Sequence, residues 1–317
     1  MSASVESKEK NTAKGNRRAK SRMIFYCLIV ALPILQFCIV YIYVNFNSFI
    51  LSFQQTDPIT FEAFGVGFKN FKTAFDTLGD NFYMIKNSLI LFLSVTVVGL
   101  TLALIFSFYI YKQKPASGLF KVILFIPKVI PSVVFTIIFK YLATDAYIGI
   151  VEDLTGKAVK GLLDASKESA FWTVLVYNVW LSFGVNVILF IGAMSGINDA
   201  VVESAQIDGV TLVQEFCRIT VPMIFPTLVT FIVVGIAGVF GNQMQLFTLL
   251  SKEKGLPIAT VGYYIYLSAN LSDVVRNSSQ MLTYHELSAI GLILTMIVFP
   301  VTMIVKKLLN KFGPSVD

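Results

Sequence analysis

The sequence predicts an all-α integral membrane protein with six transmembrane helices, and three observations lead to this fold class. Of the 317 residues, 56% are hydrophobic and only 14% are charged, against about 25% charged residues in soluble proteins. The mean hydropathy is +0.74. The charges are clustered, and the stretches between them have about the 20 residues that a helix needs to cross a bilayer. A soluble enzyme, a disordered chain and a disulfide scaffold are excluded, because so much apolar surface could not be hidden from water.

Six apolar stretches are the predicted spans. Five carry no charge, and the third contains Lys128 and Lys140 toward its ends, where a long side chain can reach the headgroups. A re-entrant or surface helix is the alternative for this third stretch. In chain order the spans are Met23–Thr56, Asn87–Tyr111, Val122–Ala143, Ser169–Asn198, Ile219–Ser251 and Leu287–Val305.

Six spans put both termini on the same side, and the basic residues indicate that this side is the cytoplasm. Residues 1–22 hold seven Lys or Arg against two Glu, and three Lys follow the last span. We therefore expect a multi-pass protein of the cell membrane, surrounded by membrane lipid, with both termini cytoplasmic. The net charge of +6 then reflects topology, and we expect no nucleic-acid partner.

The predicted organisation has four parts. Residues 1–22 are polar, basic and free of aromatic side chains, which is typical of a disordered tail. Residues 23–86 contain the first transmembrane helix and an outer segment. Residues 87–305 form a core of five helices that includes a cytoplasmic loop at 196–226, and residues 306–317 are a second cytoplasmic tail.

Residues that carry enzymatic chemistry are scarce. The single His285 has no Cys, Asp or second His arranged around it, and the three cysteines lack metal-ligand spacing. No Walker A loop, G-x-S-x-G or H-E-x-x-H motif occurs in the sequence. We therefore expect no catalytic residue, no metal and no cofactor bound by this chain. Any ATP-driven pumping must take its energy from another subunit.

The fourth connection, Gly196–Pro226, breaks the charge trend. It is cytoplasmic in the predicted topology, yet it contains four acidic residues and one Arg. A loop that lies against anionic headgroups is expected to be basic, whereas a loop that faces a protein partner need not be. This connection is therefore the first candidate for a functional surface.

Local signals in this loop predict a helical hairpin. Asn198 or Asp199 can cap a short helix over 200–207. Asp208–Gly209 then makes a turn, because Gly tolerates the left-handed conformation that ends helices. Thr211–Gln214 has the pattern of a capping box that opens a second helix. A purely structural amphipathic hairpin would explain this capping equally well.

A longer combination of residues, E-S-A-x-x-D-G-x(9)-I-x-x-P, runs through the same loop. Its members are Glu203, Ala205, Asp208, Gly209, Ile219, Pro222 and the following Pro226. It resembles the EAA motif of the permease subunits of bacterial binding-protein-dependent ABC importers. The sequence departs from that motif at Ser204, where Ala is usual, at Asn198, where Pro is common, and at Val210, which replaces a small residue.

The resemblance implies that the loop is a coupling helix that docks into a cytoplasmic ATPase, within the type I fold of ABC importer permeases. The residues implied in ATPase coupling are Glu203, Ser204, Ala205, Asp208, Gly209, Arg218 and Pro222.

Three weaker similarities point to the sugar-type, maltose permease-like branch of that family. They are Gly67–Phe71, Asn87–Ile90 and the double-proline segment Phe125–Pro131. They imply ATP-driven import of a carbohydrate, such as an oligosaccharide, by alternating access; a non-sugar solute is the alternative. The implied partners are a second homologous permease subunit, two ABC ATPase subunits that use ATP and Mg²⁺, and an extracellular or periplasmic substrate-binding protein.

Polar residues in the fourth predicted span are candidates for a substrate pathway. Asn178, Ser182 and Asn186 recur every four residues, which places them on one helix face, and Trp180 lies nearby. Amides and hydroxyls donate and accept hydrogen bonds, as sugar hydroxyls require. Interhelical hydrogen bonding is an equally good interpretation of such residues.

The fifth predicted span holds a second polar group. Gly241–Gln245 contains three amides beside a Gly, which is typical of a locally unwound segment that lines a cavity. Asn242 and Gln245 are its pathway candidates. Packing against another subunit is again the alternative.

Two other classes of protein fit the sequence less well. An ion-coupled secondary transporter or a channel typically needs acidic groups within the membrane, and none of the predicted spans contains Asp or Glu. A membrane-embedded enzyme would need converging His, Asp or Cys groups. The secondary transporter is kept as the alternative function.

Overall fold

The computed structural model describes most of the chain and divides it into two compact units, Met1–Asn70 and Phe71–Asp317. The described residues are 20, 22–57, 60, 62–164, 168–250, 256–270 and 281–314. Within these ranges the structure is almost entirely helical. Most of the predicted N-terminal tail, residues 1–19, lies outside the described residues.

The described residues form twelve α-helices, two short strands and a 3₁₀ turn. In chain order they are α1 (Arg22–Ser52), β1 (Gln54–Thr56), β2 (Ala63–Gly65), α2 (Lys69–Asp80), α3 (Phe82–Tyr111), α4 (Ser117–Val129), α5 (Ser132–Thr155), α6 (Glu168–Met194), α7 (Asp199–Ile207), α8 (Leu212–Met223), α9 (Phe225–Ala237), α10 (Leu246–Leu250), a 3₁₀ turn (Leu256–Ile258), α11 (Val261–Asn270) and α12 (Tyr284–Phe312).

The first unit consists of α1 and a small antiparallel hairpin of β1 and β2, in which Gln55 pairs with Phe64. Asn70 is fully buried, and its amide nitrogen donates to the carbonyl oxygens of Ser52 at 3.0 Å and Gln54 at 2.8 Å. These bonds tie the hairpin to the end of α1.

Four of the predicted spans correspond closely to single helices. The first, second, fourth and sixth fall on α1, α3, α6 and α12, which have the length and hydropathy of membrane spans. With α5 they make five such helices in the described part of the chain, or six if the bent pair α8–α9 counts as one span. The all-α, multi-span fold class is therefore confirmed, and the ends of two spans are corrected below.

The bounds predicted for the third span, Val122–Ala143, are wrong. The chain breaks at Ile130, which is extended with ψ of 135°, because a residue before proline is disfavoured in the helical region. Residues 122–129 belong to α4, and the membrane-length helix α5 starts only at Ser132 and continues through Lys140 to Thr155. The gaps between charges do not reveal this shift, because a single Lys does not end a helix.

The fifth span, predicted as continuous over Ile219–Ser251, is interrupted twice. Helices α8 and α9 meet at an angle of 67°, where Pro226 near the start of α9 lacks the N–H that would continue the ladder. Helix α9 then ends at Ala237, and residues 238–245 are non-helical. The local unwinding expected around Gly241–Gln245 is therefore present.

The core of the second unit consists of two clusters of buried side chains. The first cluster joins α2, α3, α5, α6, α10, α11 and α12, and Tyr177, Met244, Tyr263 and Ile290 are among its fully buried members. The second cluster is centred on α3 and α6 and reaches α7 through Val202. Helix α6 contributes to both clusters, so it connects the two ends of the unit.

Close backbone approaches hold α6 in place. The Ser107 hydroxyl of α3 donates to the Val187 carbonyl oxygen at 2.9 Å. A Cβ added at Gly184 would collide with the Leu124 carbonyl oxygen of α4. Position 184 therefore requires glycine, since no side-chain movement can relieve a contact with backbone.

Candidate functional site

The loop 196–226 forms the helical hairpin that its sequence predicts. The Asn198 side chain caps α7 by accepting a hydrogen bond from the Ala200 N–H at 3.0 Å. Gly209 adopts the left-handed conformation with φ of +74°. Thr211 and Gln214 make both bonds of a capping box at the start of α8. These local predictions are confirmed. They could be made from the sequence because each depends on residues only a few positions apart.

Helix α7 has one anchored face and one free face. Val202 and Ala205 are buried, whereas Glu203, Ser204 and Asp208 are exposed. Ala205 therefore helps to seat the helix and does not line its free surface. The space beside Gly209 is open, since a Cβ there would meet nothing within 4 Å.

An apolar side chain on the free face was missed by the sequence reasoning. Ile207 is 85% exposed, at the last turn of α7. Ile207 follows Gln206 and precedes Asp208, and a partner that covers it would remove its apolar surface from water. Its signal in the sequence is present but weak, since an Ile on a short helix is more often part of the core.

The remaining two predicted coupling residues lie on α8. Arg218 is exposed and sits in a π-helical turn, Phe216–Thr220. Pro222 lies just before the bend between α8 and α9. Six of the seven candidate residues of the loop therefore lie at or near a surface, and the seventh, Ala205, is buried beneath the helix.

The candidate pathway residue Asn178 is 7% exposed and fully hydrogen-bonded through its amide nitrogen. That nitrogen donates to the carbonyl oxygens of Val174 at 2.8 Å and Met244 at 3.2 Å. The second bond ties α6 to the unwound segment after α9. This geometry favours the packing interpretation for Asn178, and its role in a pathway stays a prediction.

The unwound segment is held in a strained conformation. Met244 and Gln245 have φ of 55° and 56°, which costs a non-glycine residue about 1–2 kcal/mol. The Asn242 side chain accepts a hydrogen bond from the Met244 N–H at 2.8 Å. Asn242 also lines a cavity of about 160 Å³ next to α3 and α9. Strain of this kind is often stored at functional sites.

The other three pathway candidates are not brought together in the described structure. Trp180 is 40% exposed and packs edge-on against Phe135, with ring centroids 5.1 Å apart. Ser182 donates back to the Val179 carbonyl oxygen, and Asn186 is half-buried. Helical spacing put Asn178, Ser182 and Asn186 on one face correctly, but it could not tell which of them face a cavity.

The structure predicts different outcomes for two asparagines of α6. Asn178→Ala should lower the stability of the protein by about 1–2 kcal/mol, because it leaves the Met244 carbonyl without its buried donor. Asn186→Ala should leave stability nearly unchanged, because Asn186 is only half-buried, and it should reduce uptake if the predicted pathway passes this residue. Thermal unfolding in detergent, measured beside uptake in proteoliposomes, separates the two. A destabilised Asn186→Ala would show that this residue also belongs to the packing.

A second group of hydrogen bonds fixes the segment before α11. Asn87 of α3 donates to the Ala259 carbonyl oxygen at 3.0 Å, and Ser88 accepts from the Val261 N–H at 3.1 Å. Thr260 donates to the Asn242 carbonyl oxygen at 2.6 Å. Residues 259–261 therefore connect α3 with the unwound segment. No local pattern in the sequence predicts this connection.

Two buried tyrosines of α11 remain neutral. Burial raises the pKa of Tyr263 to about 12 and also raises the pKa of Tyr264, since the charged form is poorly solvated there. Neither hydroxyl is therefore a candidate acid or base near neutral pH. Across the ranges that the structure describes, no group of three or more His, Cys, Asp and Glu side chains could hold a metal ion.

The class of protein follows from three features: several membrane-length helices, a hairpin with an acidic free face, and an unwound polar segment. Together they are typical of a component of a membrane transport system. The chain belongs to the family of binding-protein-dependent transport system inner membrane components, whose model matches residues 95–316. The family resemblance of the loop motif is thereby confirmed.

Known proteins agree with this assignment. The chain is similar to the probable ABC transporter permease protein MG188 homolog of Mycoplasma pneumoniae, 27% identical over 63% of this chain and 61% of that protein. It is also similar to the arabinooligosaccharides transport system permease protein AraP of Bacillus subtilis, 25% identical over 90% and 88%. It thus spans less than two thirds of the first relative and most of the second.

A solved structure shows the same fold. It is a bacterial alginate ABC transporter in complex with an alginate pentasaccharide-bound periplasmic protein. The two chains align with a TM-score of 0.68 and 20% identity, over 93% of this chain and 96% of that one. The fold is therefore that of an ABC importer permease.

Proposed function

We propose that this chain is the permease subunit of an ATP-driven ABC importer that moves an oligosaccharide across the cell membrane into the cytoplasm. The observation that carries the proposal is the capped hairpin α7–α8, with Glu203, Ile207 and Asp208 exposed on it, in a chain of the binding-protein-dependent transport family. A non-sugar solute is the alternative.

Two comparisons support a carbohydrate substrate. The relative AraP is described as transporting arabinooligosaccharides, and the solved transporter of the same fold was captured with an alginate pentasaccharide on its partner. The polar unwound segment around Asn242 and Gln245 offers amide donors and acceptors of the kind that sugar hydroxyls use.

The proposed assembly contains three kinds of partner. A second homologous permease subunit completes the transmembrane part. Two cytoplasmic ABC ATPases bind ATP and Mg²⁺. This task falls to other subunits in the proposal, since the sequence of this chain holds no Walker A loop. An extracellular or periplasmic substrate-binding protein delivers the sugar. The basic termini and the position of the hairpin support a topology with both ends in the cytoplasm.

The proposed mechanism is alternating access driven through α7. Closure of the ATPase dimer displaces the exposed face of α7, and Val202 passes the displacement to the second core cluster, which is shared by α3 and α6. Well-packed cores have few alternative arrangements, so they move as units. The closed ATPase must favour the outward-facing state for this displacement to drive transport.

The test of the proposed function is uptake by the reconstituted complex. The chain, its permease partner, the ATPases and the binding protein would be placed in proteoliposomes and offered a panel of radiolabelled oligosaccharides, monosaccharides and amino acids. Uptake of an oligosaccharide that requires ATP on the ATPase side of the membrane supports the proposal. ATP-independent uptake that follows an ion gradient would contradict it and favour a secondary transporter.

The free face of α7 yields a sharper prediction. Glu203→Lys and Ile207→Asp should each weaken ATPase binding about tenfold. The first reverses a charge at the proposed interface and the second buries a new carboxylate there, and a tenfold loss corresponds to about 1.4 kcal/mol. Detergent-solubilised permease would be titrated with ATPase by light scattering or interferometry. Asp153→Lys, which reverses an exposed acid on α5, is the matched control and should bind as the unmodified chain does.

A further inference from the structure

An ion pair joins the hairpin to the second transmembrane helix of the chain. Lys112, at the C-terminal end of α3, contacts the Glu215 carboxylate of α8 through its Nζ. The two side chains are only 13% and 4% exposed. Neither residue belongs to the loop motif, and nothing in the local sequence marks them as partners.

The surroundings strengthen this contact between opposite charges. The rings of Phe108 and Phe216 pack beside it with centroids 5.1 Å apart, and Lys112 Nζ lies 5.9 Å from the Phe108 ring and 5.5 Å from the Tyr111 ring. Aromatic faces attract a cation, and reduced solvent access strengthens the attraction between the charges. The same burial makes either charge costly when its partner is missing.

Both ends of the contact are rigidly supported. Glu215 lies four residues after Thr211, which opens the capping box at the start of α8, and its N–H donates to the Thr211 carbonyl oxygen at 2.8 Å. Lys112 directly follows α3 as its C-cap, and its N–H donates to the Phe108 carbonyl oxygen at 2.9 Å. The backbone at each end of the contact is therefore held within helical hydrogen bonding.

At its other end, α3 is attached to the candidate pathway. Asn87 and Ser88 bond the segment Ala259–Val261, and Thr260 of that segment bonds the carbonyl oxygen of Asn242. One helix of 30 residues therefore runs from the ion pair to the unwound segment.

We propose that Lys112 and Glu215 are positioning residues that make α3 follow the hairpin, so that movement imposed on α7 reaches the unwound segment. The inference rests on the proposed function and adds the route of transmission to it. The apolar contacts of Val202 are non-directional and carry displacement to the second core cluster. The buried ion pair adds a contact between two particular side chains, which sets the register of α8 against α3.

The deciding experiment measures coupling, which is the ratio of sugar imported to ATP hydrolysed by the reconstituted complex. The central variant is the double substitution Lys112→Met and Glu215→Met, because replacing both charges by apolar side chains is often neutral for stability. This variant should assemble normally but couple about tenfold less well. A role in folding alone would lower assembly and leave the ratio unchanged.

Three further variants complete the test. Lys112→Arg keeps the charge and should retain coupling, and the exchange Lys112→Glu with Glu215→Lys should restore part of it. Lys114→Met, two residues beyond the pair, is the matched control and should couple as the unmodified chain does. Unchanged coupling in the double methionine variant would overturn the inference while leaving the proposed function intact. An unmodified complex that hydrolyses ATP without importing any solute would overturn both.

Discussion

Gly209→Val is expected to reduce ATP-driven uptake at least about tenfold while the transmembrane helices remain folded. Gly209 has φ of +74°, and a β-branched residue in that region is a severe outlier. The strain of roughly 1–2 kcal/mol falls on the turn between α7 and α8. The turn should open or shift, which displaces Glu203 and Ile207 from the surface that the ATPase contacts in the proposed assembly. Uptake in proteoliposomes and ATPase binding in detergent would both be measured.

The chain provides a matched control for this substitution. Gly156 ends α5 with φ of +65°, and a Cβ added there, as at Gly209, would meet nothing within 4 Å. Gly156→Val introduces the same strain at a different helix end, so it should lower stability by a similar amount and leave ATPase binding unchanged. Equal losses of uptake in both variants would mean that general destabilisation, and not the hairpin, explains the effect.

A third variant separates backbone strain from crowding at the partner. Asparagine tolerates the left-handed region better than valine does. If strain dominates, Gly209→Asn should retain most of the uptake. If Gly209→Asn is as defective as Gly209→Val, the open space beside the glycine is filled by the partner, and side-chain size is the cause.

The hairpin was predictable because its determinants are local. The Asn198 cap, the Gly209 turn and the Thr211 capping box each involve groups within a few residues along the chain, so their geometry follows from residue type and spacing. The ATPase partner of this segment is a proposal that rests on its resemblance to the family motif. The spans were predictable for a different reason, since apolar composition alone decides which stretches can lie in lipid.

The remaining features depend on contacts between distant parts of the chain. The Asn178 bond to Met244 and the Lys112 contact with Glu215 join separate elements, and no pattern of neighbours encodes them. The start of α5 was predicted wrongly for a different reason. Pro131 lies at the break, but the gaps between charges hid the length of the helix that follows, which continues through Asp145, Glu152 and Asp153 to Thr155.

Gly262→Ala is expected to cause a large loss of stability through a single added methyl group. A Cβ at this position would lie 2.7 Å from the carbonyl carbon of Gly241 and 2.8 Å from the carbonyl oxygens of Phe240 and Asn242. All three are backbone atoms, so no rotamer change can make room. The start of α11 must instead move away from the unwound segment, breaking the Thr260 bond to Asn242.

The cost of such overpacking is about 1–3 kcal/mol, and the same displacement would disturb the strained residues after Asn242. Both thermal stability in detergent and sugar uptake should therefore fall. Gly192→Ala is the control, because Gly192 lies within α6 with nothing within 4 Å of the added methyl. Alanine is the better helix former by about 1 kcal/mol, so this variant should be slightly stabilised. If Gly262→Ala matched it in stability, the close approach of α11 to the unwound segment would be wrong. If Gly262→Ala lost stability but transported normally, the unwound segment would be a packing feature, and the pathway would have to lie along another face of the helices.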